Sequence, residues 1–230
     1  MKMNIQHIFF DLDHTLWDFD KNAALAFQQI FSEQNISLEV GFFLEAYMPI
    51  NLKYWKLYRE DKISRESLKF NRLKDAFDAL NYNISQDLIA TISDKYIAYL
   101  PTYNHLFEGA IEVLDYLKQK YHLHIITNGF DEVQNLKLQK SGIASYFQEI
   151  ITSQSIGLKK PNPKVFEFAL NKANTIPQNA LMIGDSYEAD ILGALNSGML
   201  AIHFANEHQE YQNKTGVLRI SNLIELKTYL

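Results

Sequence analysis

The spacing of apolar positions changes twice along this chain. Ile5 to Phe10 form a short apolar run that predicts a strand. From Lys21 to about Leu100 the spacing turns helical: Ala23, Phe27, Ile30 and Phe31 make one stripe, and Leu73, Phe77 and Leu80 a second. Leu88, Ile89, Ile92, Tyr96 and Tyr99 make a third before Pro101 interrupts it. This block holds no convincing strand. From Phe107 onward short apolar runs alternate with helical segments. Strands are expected over Leu123 to Ile126, Ile150 to Thr152, Ala180 to Ile183 and Leu200 to Phe204. Helices are expected from about Glu132, over Lys164 to Lys172 and over Glu188 to Leu195.

Such alternation predicts an α/β fold, a parallel sheet covered on both faces by helices. The opening strand has no better partner than that same sheet. The helical block is therefore expected to be an insertion after the first strand, a cap lying over the edge where open α/β sheets place their ligands. The division expected is a core of residues 1–16 and 101–230 and a helical cap domain of residues 17–100. A length of 230 residues with 47% hydrophobic content can fill both. The absence of cysteine excludes disulfides and thiolate chemistry, and no apolar stretch approaches the ~20 residues of a membrane span, so the expected setting is soluble and cytoplasmic. A formal net charge of −5 without a basic block argues against nucleic-acid tracking, though not against a small anionic substrate.

The expected strand ends organise the chemistry. Asp11-Leu12-Asp13-His14-Thr15 follows the first strand, Thr127-Asn128-Gly129 the second, and Gly184-Asp185-Ser186 a later one, with Asp190 on the opening turn of the next helix. Lys160 sits between Lys159 and Pro161, ahead of a helix. Two carboxylates one residue apart can share a metal ion or divide nucleophilic and acid work. Taken singly, each of these residues reads equally well as a cap, a turn or a solvated charge. Their shared sheet edge is what sets them apart.

These segments, in this order, resemble the four motifs of the haloacid-dehalogenase-like hydrolases, and the helical insertion resembles the small cap of one subgroup. The stretch Asp11 to Phe19 is similar to that of pyrimidine 5'-nucleotidases, although His14 stands where the wider family most often has glycine. The resemblance implies a Rossmann-like parallel sheet core and a magnesium-dependent phosphomonoesterase. In it Asp11 is the nucleophile that forms an aspartyl-phosphate, and Asp13 is the acid and then the base. Thr127 and Asn128 bind phosphate, and Lys160 neutralises charge. Mg2+ is held by Asp11, the backbone carbonyl of Asp13, and Asp185, with Asp190 as a more distant or secondary ligand. Hard oxygens without sulfur or clustered histidine favour magnesium on chemical grounds as well. His7, His122, His124 and His203 have no spacing that argues for a metal site of their own.

The expected partner is a small phosphorylated metabolite, a nucleoside monophosphate on the narrower resemblance. No nucleic acid or membrane partner is expected, and the oligomeric state is left open. A sugar-phosphate or phosphoglycolate phosphatase is the alternative within the class. Haloacid dehalogenation is disfavoured because that subgroup lacks the second aspartate. A non-catalytic phosphometabolite-binding protein is the alternative outside the class, marked by loss of a nucleophile, acid or lysine that this sequence retains. Tyr47, Tyr54, Trp55 and Tyr58 lie at helical intervals that suit packing, and one of them could also stack on a base.

Overall fold

The computed structural model describes residues 4–205 and 216–230. Among these, six strands form one parallel sheet: β1 (His7–Phe10), β2 (His122–Thr127), β3 (Glu149–Thr152), β4 (Ala180–Gly184), β5 (Leu200–Phe204) and β6 (Leu218–Ile220). Their order is β3-β2-β1-β4-β5-β6. Phe10 is in register with Ile125 on one side and Ile183 on the other, so β1, β2 and β4 end side by side. The chain builds outward from β1 through β2 and β3, then crosses back to β4. The reversal falls beside β1, the position at which such sheets open a crevice for ligands.

All four residues of β1 and all five of β4 are buried, which only a sheet covered on both faces allows. On one face Phe9, Ile126, Ile151 and Met182 pack with Val165, Phe166, Ala169 and Leu170 of the helix Pro163–Lys172. β6 escapes periodicity because three residues, with only Ile220 buried, leave too short a pattern to read. The helix expected over Glu188 to Leu195 is instead a wide π-helical turn, Tyr187–Leu192, followed by one α-turn, Gly193–Asn196. Such widened turns recur at functional sites.

The chain clusters into two compact units. One comprises Met1–Phe19 and Asn104–Leu230 and carries the sheet; the other is Asp20–Tyr103. The second unit is helical: α1 (Phe19–Glu33, its first residue in the sheet unit), α2 (Val40–Arg59), α3 (Arg65–Ala79) and α4 (Gln86–Tyr99). Ser64 and Ser85 cap α3 and α4 by accepting from Ser67 N and Leu88 N. Its core is aromatic. Phe27 stacks on Tyr96 at 4.4 Å between centroids and meets Tyr47 edge-on at 4.9 Å. Tyr47 is thus a packing residue with no exposed face. Tyr54 donates to Asp75 Oδ2 at 2.7 Å, and Trp55 packs edge-on to Tyr58. No helix among the described residues is long and apolar enough to cross a membrane.

Candidate active site

The sheet's hydrogen bonding carries one residue past β1, since Asp11 N donates to Ile183 O. The chain then coils tightly. Leu16 N and Trp17 N both donate to Leu12 O, and His14 N donates to Trp17 O. His14 adopts a left-handed φ of 60° to make this turn. That conformation explains why glycine suits the position, and His14 occupies it with its ring packed on Phe19 at 4.8 Å.

Lys160 lies at the centre of the expected residues. Its ammonium donates to Asp11 Oδ1 at 2.6 Å and to Ile126 O at 2.6 Å, and it pairs with Asp190 Oδ1 at 2.6 Å. The lysine is only 2% exposed. Asn128 clamps its backbone from across the sheet edge: Asn128 Nδ2 donates to Lys160 O at 3.0 Å, and Lys160 N donates to Asn128 Oδ1 at 2.8 Å. The Asn128 side-chain amide is therefore engaged in holding the lysine. Asp190 is held in turn by Ser186 N, which donates to its Oδ2 at 3.0 Å. Gly184 permits this approach, because a Cβ there would collide with the Asp190 carboxylate. Asp185 receives the Thr15 hydroxyl at 3.5 Å, and His203 Nε2 meets its carbonyl at 2.8 Å. His203 thus supports the backbone that presents Asp185.

Asp13 turns to a different set of partners, which sequence reasoning missed. They come from α6 (Asp131–Lys140), reached after Ala110–Leu117 (α5) and β2. Lys137 donates to Asp13 Oδ1 at 2.5 Å, and Gln134 Nε2 donates to Asp13 Oδ2 at 3.1 Å. Gln134 Nε2 also lies 2.8 Å from Thr127 Oγ1, which accepts from Gly129 N at 3.2 Å as well. With both acceptor positions of that hydroxyl filled, its own proton is left to donate. A Cβ at position 129 would overlap the Gln134 side chain, so Gly129 is required by the same contact.

Residues 5–198 match the family model of the haloacid dehalogenase-like hydrolases. The chain belongs to that family. It is 30% identical to the pyrimidine 5'-nucleotidase YjjG of Escherichia coli (strain K12), over 97% of this chain and 96% of the relative. It is 36% identical to a glyceraldehyde 3-phosphate phosphatase of Pyrococcus abyssi (strain GE5 / Orsay), over 87% of this chain and 81% of that one. Among solved structures, the magnesium-bound HAD-hydrolase YfnB from Bacillus subtilis superposes with a TM-score of 0.84 at 28% identity, covering 98% of both chains.

The electrostatics of this dehalogenase-like site call for a cation. Asp11, Asp185 and Asp190 each offer a carboxylate oxygen, all within 4.8 Å of one another. With all three carboxylates ionised beside the single ammonium of Lys160, the cluster would carry a net charge of −2, which one divalent ion would balance. Burial, with Asp185 and Asp190 nearby, raises the Asp11 carboxyl well above its usual range despite the opposing pull of Lys160. Burial first, then the Asp190 charge, pushes Asp185 up to about 8. Burial also pulls Lys160 down, but Asp11 and Asp190 outweigh it and hold the ammonium charged. A hard, all-oxygen donor set suits Mg2+, which would screen a phosphate from the carboxylates and act as a Lewis acid on it. The cluster fits magnesium-dependent phosphatase chemistry through an aspartyl-phosphate.

This crowding gives a pH signature. In chelator, Asp185 keeps its proton in the folded state up to about pH 8 but sheds it near 3.8 when unfolded. Folding then takes up a proton, and wild-type stability falls by roughly 1 kcal/mol per pH unit across that window relative to a variant without the group. Asp185→Asn should therefore gain stability over wild type as the pH climbs from 4 to 8, with the gap flat above that. Saturating Mg2+ should reverse the order at pH 8. Chemical denaturation of both proteins at pH 5 and pH 8, with chelator and with Mg2+, measures the gap directly.

Proposed function

We propose that this protein is a magnesium-dependent phosphomonoesterase of nucleoside 5'-monophosphates, a pyrimidine 5'-nucleotidase acting through an aspartyl-phosphate. The observation that carries the reaction is the separation of two carboxylates by their cations. Asp11 is bonded to Lys160 within the acidic cluster, while Asp13, two residues on, is held apart by Lys137 and Gln134. One carboxylate is thereby available to a metal and to phosphorus, the other to a proton.

In this reading a carboxylate oxygen of Asp11 attacks phosphorus and the ester P–O bond breaks, with Asp13 giving its proton to the departing alkoxide. Asp13 then takes a proton from water as that oxygen attacks the phosphoryl group, releasing inorganic phosphate and restoring Asp11. Thr127 donates its remaining proton to a phosphoryl oxygen, with backbone groups of the Asn128 turn beside it. Lys160 offsets negative charge building on the equatorial oxygens. Asp11, Asp185 and the Asp13 carbonyl hold the metal, with Asp190 fixing Lys160 and serving as a secondary ligand. The helical block of residues 17–100 acts as the cap domain that selects the leaving group.

The nucleotide assignment is supported by the first-motif resemblance and by YjjG, a pyrimidine 5'-nucleotidase matched over nearly its whole length. The glyceraldehyde 3-phosphate phosphatase relative supports a sugar-phosphate substrate as the second reading. A panel of phosphorylated metabolites assayed for phosphate release with Mg2+ separates them. UMP, dUMP and dTMP should be turned over faster than triose, hexose and phosphoglycolate esters; equal or better hydrolysis of the sugar phosphates would sink the nucleotidase assignment. Asp11→Asn should keep the fold while turnover drops by at least about 10⁴-fold and no phosphoryl-enzyme is trapped on acid quench. Wild-type turnover in that variant, free of contaminating phosphatase, removes Asp11 as the nucleophile.

A further inference from the structure

Gln134 and Lys137 lie one turn apart on the inner face of α6, 1% and 2% exposed. A buried lysine and a buried glutamine on a surface-length helix call for a reason. The Lys137 ammonium sits 4.2 Å above the Trp17 ring and 5.5 Å from that of Phe19, so Asp13 Oδ1 meets a cation largely stripped of water. Gln134 aims one Nε2 at two acceptors, Asp13 Oδ2 and Thr127 Oγ1. Its Oε1 is left buried with no hydrogen-bond partner among the described residues. An amide that leaves its oxygen unbonded while its nitrogen serves two site residues is oriented for those residues and not for packing.

We infer that Gln134 and Lys137 are positioning residues that brace the Asp13 carboxylate at both oxygens, and that Gln134 also orients the Thr127 hydroxyl toward phosphate. Asp13 stands 23% exposed at the mouth of a tight turn, so packing alone would not hold its side chain. Contacts at Oδ1 and Oδ2 together fix both the direction and the plane of the carboxyl group. A proton donor must meet the leaving oxygen within hydrogen-bond reach, and a shift of about 1 Å in a reacting group loses on the order of 10²-fold in rate. The inference rests on the reading of Asp13 as the leaving-group acid.

The test compares the first turnover of p-nitrophenyl phosphate, whose phenolate leaves without help, with that of the alkyl phosphomonoester the wild type hydrolyses fastest. Lys137→Met should slow the alkyl ester by at least about tenfold and the aryl ester by less than about threefold, with KM nearly unchanged. Lys137→Arg should recover most of the loss. Gln134→Leu should show the same split and also raise KM for both esters, because Thr127 loses its orienting donor. Melting temperatures identify any variant that fails to fold, and Lys137→Arg and Gln134→Leu carry the test if Lys137→Met does not. Asp13→Asn run alongside separates the two claims. Equal slowing of both esters in that variant overturns the acid reading and the brace with it. A split there, without one in the folded Lys137 and Gln134 variants, overturns the brace alone.

Discussion

Burying negative charge beside β1 is the constraint around which this molecule is arranged. Asp11 and Asp190 are nearly enclosed, and Asp185 joins them within 4.8 Å. Each charge moved from water into such a place costs several kcal/mol unless it is paired and hydrogen-bonded. The chain supplies two buried ammonium groups, Lys160 for Asp11 and Asp190 and Lys137 for Asp13. Well-packed apolar residues of similar size would stabilise the fold at least as well. The retention of these ion pairs therefore points to chemistry, and the two cations keep the two aspartates of one short turn in separate environments.

Much local structure follows from that constraint. Lys160 can be fixed only if its backbone is fixed, and Asn128 does this with two hydrogen bonds spanning 32 positions in sequence. Asp190 can reach the lysine only because residue 184 lacks a Cβ, and Gln134 can cross to Thr127 only because residue 129 lacks one. These glycines act by admitting a side chain, not by adopting an unusual backbone; the left-handed position of the first loop is given to His14. The wide π-turn after β4 serves the same end, folding Asp190 back so that its carboxylate meets Ser186 N and the Lys160 ammonium.

The parts legible in the sequence were those with a repeating or ordered signal. Apolar runs of β1, β2, β4 and β5 and the stripes of α1, α3 and α4 reflect burial, which shows directly as periodicity. Asp11, Thr127 and Asp185 stood out because each sits just beyond such a run, and Lys160 because it stands before Pro161 and the start of a helix. Lys137 and Gln134 carried no comparable mark. The inner face of α6 holds polar residues beside Val133 and Leu138, so the helix lacks a clean apolar stripe, and a helical lysine ordinarily reads as solvated. The clamp of Asn128 on Lys160 and the support of Asp185 by His203 were hidden for another reason. Each depends on a side chain meeting backbone far away in sequence, and no local pattern encodes that proximity.

The reaction is easier to derive than the substrate for a related physical reason. Reaction chemistry depends on charges that must be close, buried and oppositely paired, so the residues involved are restricted in type and fixed by strand ends in one rigid sheet. Leaving-group selection makes no such demand. Stacking, hydrogen bonding and apolar contact can each discriminate a base from a sugar, and each draws on residue types that also build ordinary cores. The helical unit illustrates the problem: Phe27, Phe43, Tyr47, Phe77 and Tyr96 form one aromatic cluster, and Arg72 lies over Tyr47 and Tyr96 while donating to Asn51. Those rings need no ligand to account for them. A specificity residue in this unit would instead be a polar or aromatic side chain left partly exposed after the core is complete, which directs attention to Trp55 and Tyr58 and away from the buried Tyr47.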